Sequence, residues 1–236
     1  YGLLATSTHD TKRSEDVRYR ISLLSEIPTR CKKLVESWSV LNSPLSAKLD
    51  KKTEYFIYQT LVGFWPPSSE KASPSHLKRL EQYILKGERE GKEFTNWVDI
   101  NEPYEEGLIQ FLRDILSPEK SPQFYRSLQE FVDELAPYGR RNSLNATALK
   151  GLSPGVFDLY QGCELFDDSL VDPDNRRPVD FEERKVLLNQ SPIGCEKLHI
   201  IHKILQFRQE NADLIFKGSY HPIDIEGPLN EHVVGF

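Results

Sequence analysis

Apolar residues along most of this chain recur every three or four positions, the spacing that lays one apolar stripe along a helix. Val17, Ile21 and Leu24 mark such a face behind a densely charged start, and Pro28 closes that helix. Cys31, Leu34, Val35, Trp38 and Leu41 draw a second stripe, ending at the Asn-Ser-Pro of 42–44. Residues 51–63 (KKTEYFIYQTLVG) are apolar on most sides, which predicts a buried, central helix, and Trp65-Pro66-Pro67-Ser68-Ser69 breaks it. Further helices are predicted from Ser75 to about Phe94, with Leu77, Leu80 and Ile84 inward, and over 103–116, 122–135 and 143–150. They share no sequence period, so a helical subdomain is expected rather than a solenoid.

Strand-like runs lie at the two ends of this helical block. GLLATST (2–8) precedes the first helix, and VFDLYQ (156–161) follows a Ser153-Pro154-Gly155 stop and ends at Gly162. A polar, proline-punctuated loop is read over 167–180, then a helix over 195–211 with Leu198, Ile201, Ile204 and Leu205 inward. From 214 to 236 (LIFKGSYHPIDIEG, HVVGF) β-branched residues cluster around glycines, which predicts the opening strands of a β domain, with a boundary near 211–217. The expected fold class is mainly α with a few short strands.

Composition narrows the function classes. With 38% hydrophobic and 28% charged residues, a chain of 236 residues reads as soluble and globular, not disordered. A net charge of -6 offers no basic stripe for phosphates, so nucleic acid and anionic membranes are disfavoured and a neutral, hydroxyl-rich ligand fits better. Cys31, Cys163 and Cys195 are odd in number with no Cys-x-x-Cys spacing, which favours a reducing, cytoplasmic setting. No charged leader or apolar membrane-length run is found. A start at Tyr1, the lack of methionine and an end in Val-Val-Gly-Phe suggest an excised fragment.

Two constellations could carry chemistry. His9-Asp10 follows the first strand-like run, and a carboxylate there could stabilise an oxocarbenium ion forming on a sugar. The competing reading is a helix start, with Asp10, Thr11 or Ser14 as N-cap and Glu15 and Asp16 complementing the dipole; spacing alone favours it. The second constellation, Asp172 to Asp180 (DPDNRRPVD), sets carboxylates, an amide and two guanidiniums between prolines. Such planar donors and acceptors suit sugar hydroxyls, although an internally paired surface loop fits the composition equally well. Glu164 and Asp167 add carboxylates nearby. No metal-ligand spacing is recognisable, and no cofactor is implied.

With these stretches in view the chain resembles the maltooligosyltrehalose synthases, (1,4)-alpha-D-glucan 1-alpha-D-glucosylmutases of the alpha-amylase superfamily. ATSTHDTKRSEDVR (5–18) is similar to the family's seventh-strand motif; PGVFDLYQGCEL (154–165) and LVDPDNRRPVDF (170–181) are similar to its eighth-strand region and following loop. YFIYQTLVGFWP (55–66) and KGEREGKEFTNWVDINEPYEEG (86–107) resemble its helical insertion, which argues against other superfamily hydrolases or transferases; a non-enzymatic helical interaction module whose polar loops are solvated surface is the other alternative. Phe157 and Cys163 depart from the family's usual proline and threonine.

The resemblance implies a C-terminal fragment of a (β/α)8 barrel: strand seven and its helix over 1–27, the insertion over 28–150, strand eight, the loop and the last helix over 151–213, and the start of a C-terminal β domain over 214–236. It implies that Asp10 is the transition-state stabiliser and His9 a sugar-binding residue. Lys12, Arg13, Asp174, Asn175, Arg176 and Arg177 are expected on the substrate-binding rim. The nucleophile and general acid would lie on earlier strands, so the fragment alone should be inactive. The parent would take a maltooligosaccharide as substrate and convert its reducing-end α-1,4 linkage to an α,α-1,1 linkage, with the insertion as a lid.

Overall fold

The computed structural model describes residues 5–46 and 49–236. The first helix, α1 (Glu15–Ser22), begins at Ser14, whose Oγ accepts the Val17 N–H. It ends at Ser22 and a 3-10 turn (Leu23–Ser25) follows, so Pro28 does not close it; Pro28 instead occupies the first turn of α2 (Pro28–Asn42), where no N–H is needed. Then come α3 (Lys51–Phe64), capped by the Asp50 carboxylate, α4 (Pro74–Gly91), α5 (Glu102–Ile115) and α6 (Pro122–Leu152). The later chain forms α7 (Phe181–Leu188), α8 (Glu196–Glu210) and α9 (Ala212–Lys217).

The expected central helix is central. α3 buries Ile57, Tyr58, Leu61, Val62 and Phe64 among Trp38 of α2, Leu80 and Ile84 of α4, Leu108 and Leu112 of α5, and Phe124 and Leu128 of α6. Trp38 meets Tyr58 and Phe124 edge-on, with ring centroids 5.5 and 5.3 Å away, and its indole N–H donates to Ser127 Oγ at 2.9 Å. The large apolar body and single polar tip of tryptophan are thus both satisfied. Two glycines let helices close in. A Cβ on Gly63 would lie 2.7 Å from the Ile21 side chain of α1, and one on Gly151 would lie 2.6 Å from Ile204 of α8.

Several sequence expectations are corrected. The segments read as 122–135 and 143–150 form one helix, α6, which runs through Pro137. A proline inside a helix costs about 3 kcal/mol, and burial on both sides of it offsets that: Leu135 and Ala136 before it, Gly139, Ser143 and Thr147 after it. Over residues 5–8 and 156–160 no strand forms; residues 2–4 of the first run lie outside the described residues. These two segments meet through a side chain instead of a ladder, with Thr6 N–H and Oγ1 donating to the Asp158 carboxylate at 2.7 and 3.2 Å. Residues 212–217 are helical, and the tail beyond them holds one isolated bridge, Ile223 with Gly235. Leu41 and Leu205, expected inward, are exposed.

Candidate active-site segment

Residues 5–14 and the loop 167–177 are more than 150 positions apart in sequence, and the structure lays them side by side. Ser14 N–H donates to Ser169 O at 2.8 Å, Arg13 bridges to Leu170, and Asp172 N–H donates to His9 O at 3.3 Å. Ser14 Oγ also donates to Asp167 O. Leu170 and Val171 anchor the loop by entering the helical core. The two stretches that carried the sequence argument therefore form one surface.

On that surface His9 and Asp10 face outward. Their side chains are 48% and 85% exposed, with His9 Nε2 3.3 Å from Asp10 Oδ2. Neither caps α1, because Ser14 does. Lys12, also exposed, pairs with Glu90 of α4 at 2.7 Å. Arg176 pairs with Asp172 at 2.9 Å and stays half exposed.

Of the remaining candidates Arg13, Asp174 and Asn175 are held inward, whereas Arg177 is half exposed. Arg13 donates to Gln59 Oε1 at 3.0 Å and Thr60 Oγ1 at 2.8 Å on α3, and its guanidinium lies 5.6 and 5.9 Å from the Phe56 and Tyr83 rings. Asp174 is gripped by Arg79 of α4 in a two-pronged pair at 2.7 and 2.9 Å, a planar match that a lysine could not reproduce. Burial would lower the Arg79 pKa, but Asp174 and Asp168 raise it above the ordinary arginine value. Arg177 donates to Ser169 Oγ at 3.0 Å and lies 3.2 Å from Asp174. Asn175 is buried, and its Nδ2 donates to the Thr8 and His9 carbonyls at 3.2 and 2.9 Å.

One buried neighbour of these stretches escaped sequence reasoning. Lys197 of α8 is 0% exposed and its ammonium sits 2.8 Å from Glu15 and 2.9 Å from Asp16. Burial opposes its charge, yet Asp16 and Glu15 raise its pKa above the usual lysine value. Asp16 in turn accepts the Asp167 N–H at 2.8 Å, so this buried pair ties α8, α1 and the loop together. A lysine among Leu198, Ile201 and Ile204 reads as a solvated helix position unless its acidic partners on α1 are known. Burial raises the Asp167 carboxyl and the Cys163 thiol, which is no poised nucleophile. Among the described residues no group of three His, Cys, Asp or Glu side chains is placed to hold a metal ion, and no helix is long and apolar enough to cross a membrane.

No protein-family model matches the chain. A Mycobacterium tuberculosis (strain H37Rv) protein, named provisionally a maltooligosyl trehalose synthase, is 37% identical over 231 residues, 98% of this chain and 29% of its own. The crystal structure of a hypothetical maltooligosyl trehalose synthase from Sulfolobus tokodaii superposes with a TM-score of 0.82 at 38% identity, covering 94% of this chain and 30% of that one. The maltooligosyltrehalose synthase of Arthrobacter ramosus gives 0.79 at 36% identity, covering 98% of this chain and 30% of that one. The chain spans about three tenths of the length of these relatives. Agreement of sequence and fold over nearly the whole chain places it in the maltooligosyl trehalose synthase family, as the counterpart of that part of the enzyme.

Proposed function

We propose that the chain is the C-terminal active-site portion of a glucosylmutase that turns the reducing-end α-1,4 linkage of a maltooligosaccharide into an α,α-1,1 linkage. Asp10 is the carboxylate that stabilises the oxocarbenium-like transition state. His9 bonds the reacting sugar, with Lys12 and Arg176 on the same outward surface. Two further carboxylates, a nucleophile and a general acid about 5 Å apart, belong to the rest of the protein. The nucleophile displaces the terminal glucose to form a covalent glycosyl-enzyme while the acid protonates the departing oxygen. The freed glucose turns, and its anomeric hydroxyl attacks the intermediate as the same residue takes up the proton.

The observation that carries this reading is the alignment of His9-Asp10 with the 172–177 loop by hydrogen bonds from Asp172 N–H and Asn175 Nδ2 to the His9 carbonyl, together with membership of the family. The outward pair supports it too, since a stabilising carboxylate must face the sugar. In this reading 5–8 and 156–160 become barrel strands when the neighbouring strands pair with them, and 28–150 is the insertion that shields the intermediate from water. The tail after α9 leads into a β domain. The proposed substrate is a neutral glucan, and no cofactor is needed.

Incubating the full-length protein with maltopentaose tests it. Loss of reducing ends without shortening of the chain is expected. Release of glucose and maltotetraose alone would instead make the protein a hydrolase. The isolated chain should be inactive on the same substrate.

A further inference from the structure

Asp10 has almost nothing to hold its carboxylate in place. The side chain is 85% exposed and its contact is His9 at 3.3 Å. Its position is therefore decided by the backbone that leads to it, and that backbone is fastened. Asn175 Nδ2 donates to Thr8 O at 3.2 Å and His9 O at 2.9 Å, while Asp172 N–H donates to the same His9 carbonyl at 3.3 Å. Asp10 N–H reaches Thr8 Oγ1 at 3.2 Å and Thr11 N–H reaches Thr8 O at 3.1 Å.

Both amide hydrogens of Asn175 are committed to these carbonyls, so neither remains for a sugar hydroxyl. Its Oδ1 is buried without a partner among the described residues. An unpaired buried oxygen is unfavourable, so the two donors are what the amide contributes here. Asn175 is itself placed by α4. Arg79 grips Asp174, whose carboxylate also accepts the Leu170 N–H at 2.8 Å, and Lys86, two turns further along α4, donates to Asp172 O at 2.7 Å.

We propose that Asn175 is a positioning residue for Asp10, and that Arg79 and Asp174 pass the placement of insertion helix α4 through it to the reacting carboxylate. The insertion then organises the site as well as covering it. This rests on the reading of Asp10 as the transition-state stabiliser.

The test uses the full-length protein and maltopentaose. Asn175→Ala should lower kcat about 10- to 100-fold with KM within about twofold, the signature of a misplaced reacting group. Asn175→Asp sets a carboxylate against two carbonyl oxygens, and burial there raises its pKa. Once protonated it regains an O–H that can donate to His9 O. Its activity per folded molecule relative to wild type, with the folded fraction read by circular dichroism at each pH, should therefore be lowest at neutral pH and climb as the pH falls, and a climb that only tracks the folded fraction overturns the positioning role. Arg79→Lys should reduce kcat by a smaller factor.

Unchanged kcat in Asn175→Ala, a raised KM at normal kcat, or a flat Asn175→Asp ratio overturns the proposal; the second outcome would make Asn175 a sugar contact. If the wild type does not act on maltopentaose, the proposed function fails and hydrogen exchange decides the clamp. In Asn175→Ala the Asp10 and Thr11 amides should exchange about tenfold faster while those of α3 do not change. Equal rates at Asp10 and Thr11 in variant and wild type overturn it.

Discussion

The helical block and the seam beside it are built by opposite means. From α2 to α6 the helices close over Trp38, Leu61, Phe111 and Phe124, and apolar contact does the joining. Between residues 6–16 and 158–175 the joining is by hydrogen bonds: Thr6 to Asp158, Ser14 to Ser169, Asn175 to His9, Asp16 to Asp167. Apolar packing is non-directional and tolerates small shifts, whereas each bond in the seam specifies a distance and an angle. Placing a carboxylate for chemistry requires the second kind of constraint. The rigid block gives that seam something to be fixed to, through Arg13 on α3 and Arg79 on α4.

The contrast can be broken at either end. The largest effect is expected from Asp10→Asn in the full-length protein, which removes a charge but no packing. Transfer activity on maltopentaose should fall roughly a thousandfold, while the melting temperature holds because the side chain is exposed. A drop in melting temperature of several degrees would mean that the seam depends on Asp10 after all.

Next is Lys197→Ala, which takes the close counter-charge from Asp16 and leaves buried Glu15 with Lys150 alone, 3.6 Å away. Losing one partner of such a pair destabilises by about 3–5 kcal/mol, measurable by urea denaturation. Within the apolar block, Leu61→Ala should destabilise by about 3 kcal/mol, with the remaining folded enzyme keeping its kcat. If kcat falls in step with stability, the two regions are less separable than their bonding suggests.

The smallest effect sits at the edge of the block. Arg89 donates to both Glu105 carboxylate oxygens and Thr95 donates to one of them. The Arg89 hydrogen bonds hold the Glu105 carboxyl below its ordinary value of 4.5. A depressed folded pKa gives stability that is present above the unfolded value and lost as the pH falls through the folded one. Glu105→Gln should therefore destabilise by about 1 kcal/mol at pH 7, and the difference from wild type should shrink below pH 4.5.

Legibility follows the same division. Stripes such as Leu77, Leu80 and Ile84 announced the helices because a buried helix must repeat its apolar positions, and the packing used most of them. The break read between 135 and 143 misled because the α1 and α8 surfaces that α6 packs against at Gly139 and Gly151 lie far away in sequence. The first residues of the β-branched tail misled in the other direction: 214–217 satisfy their backbone within helix α9, while a strand needs a partner that composition cannot supply. In the site, the motifs around His9-Asp10 and Asp172–Arg177 were visible as stretches. Which of their residues face solvent and which serve as fasteners was not, because Arg79, Gln59 and Lys197 lie far away in sequence.

The amino-acid sequence by itself determined the helical class, the central place of α3 and the two motif stretches with their family, since each depends on local periodicity or local spelling. Tertiary structure alone decided that the stretches meet, that Ser14 rather than Asp10 caps α1, and that Asn175 turns its amide to the backbone before Asp10. The reason is physical. A hydrogen bond between residues 166 positions apart leaves no period in the chain, and it exists only after the apolar block has brought its two ends together.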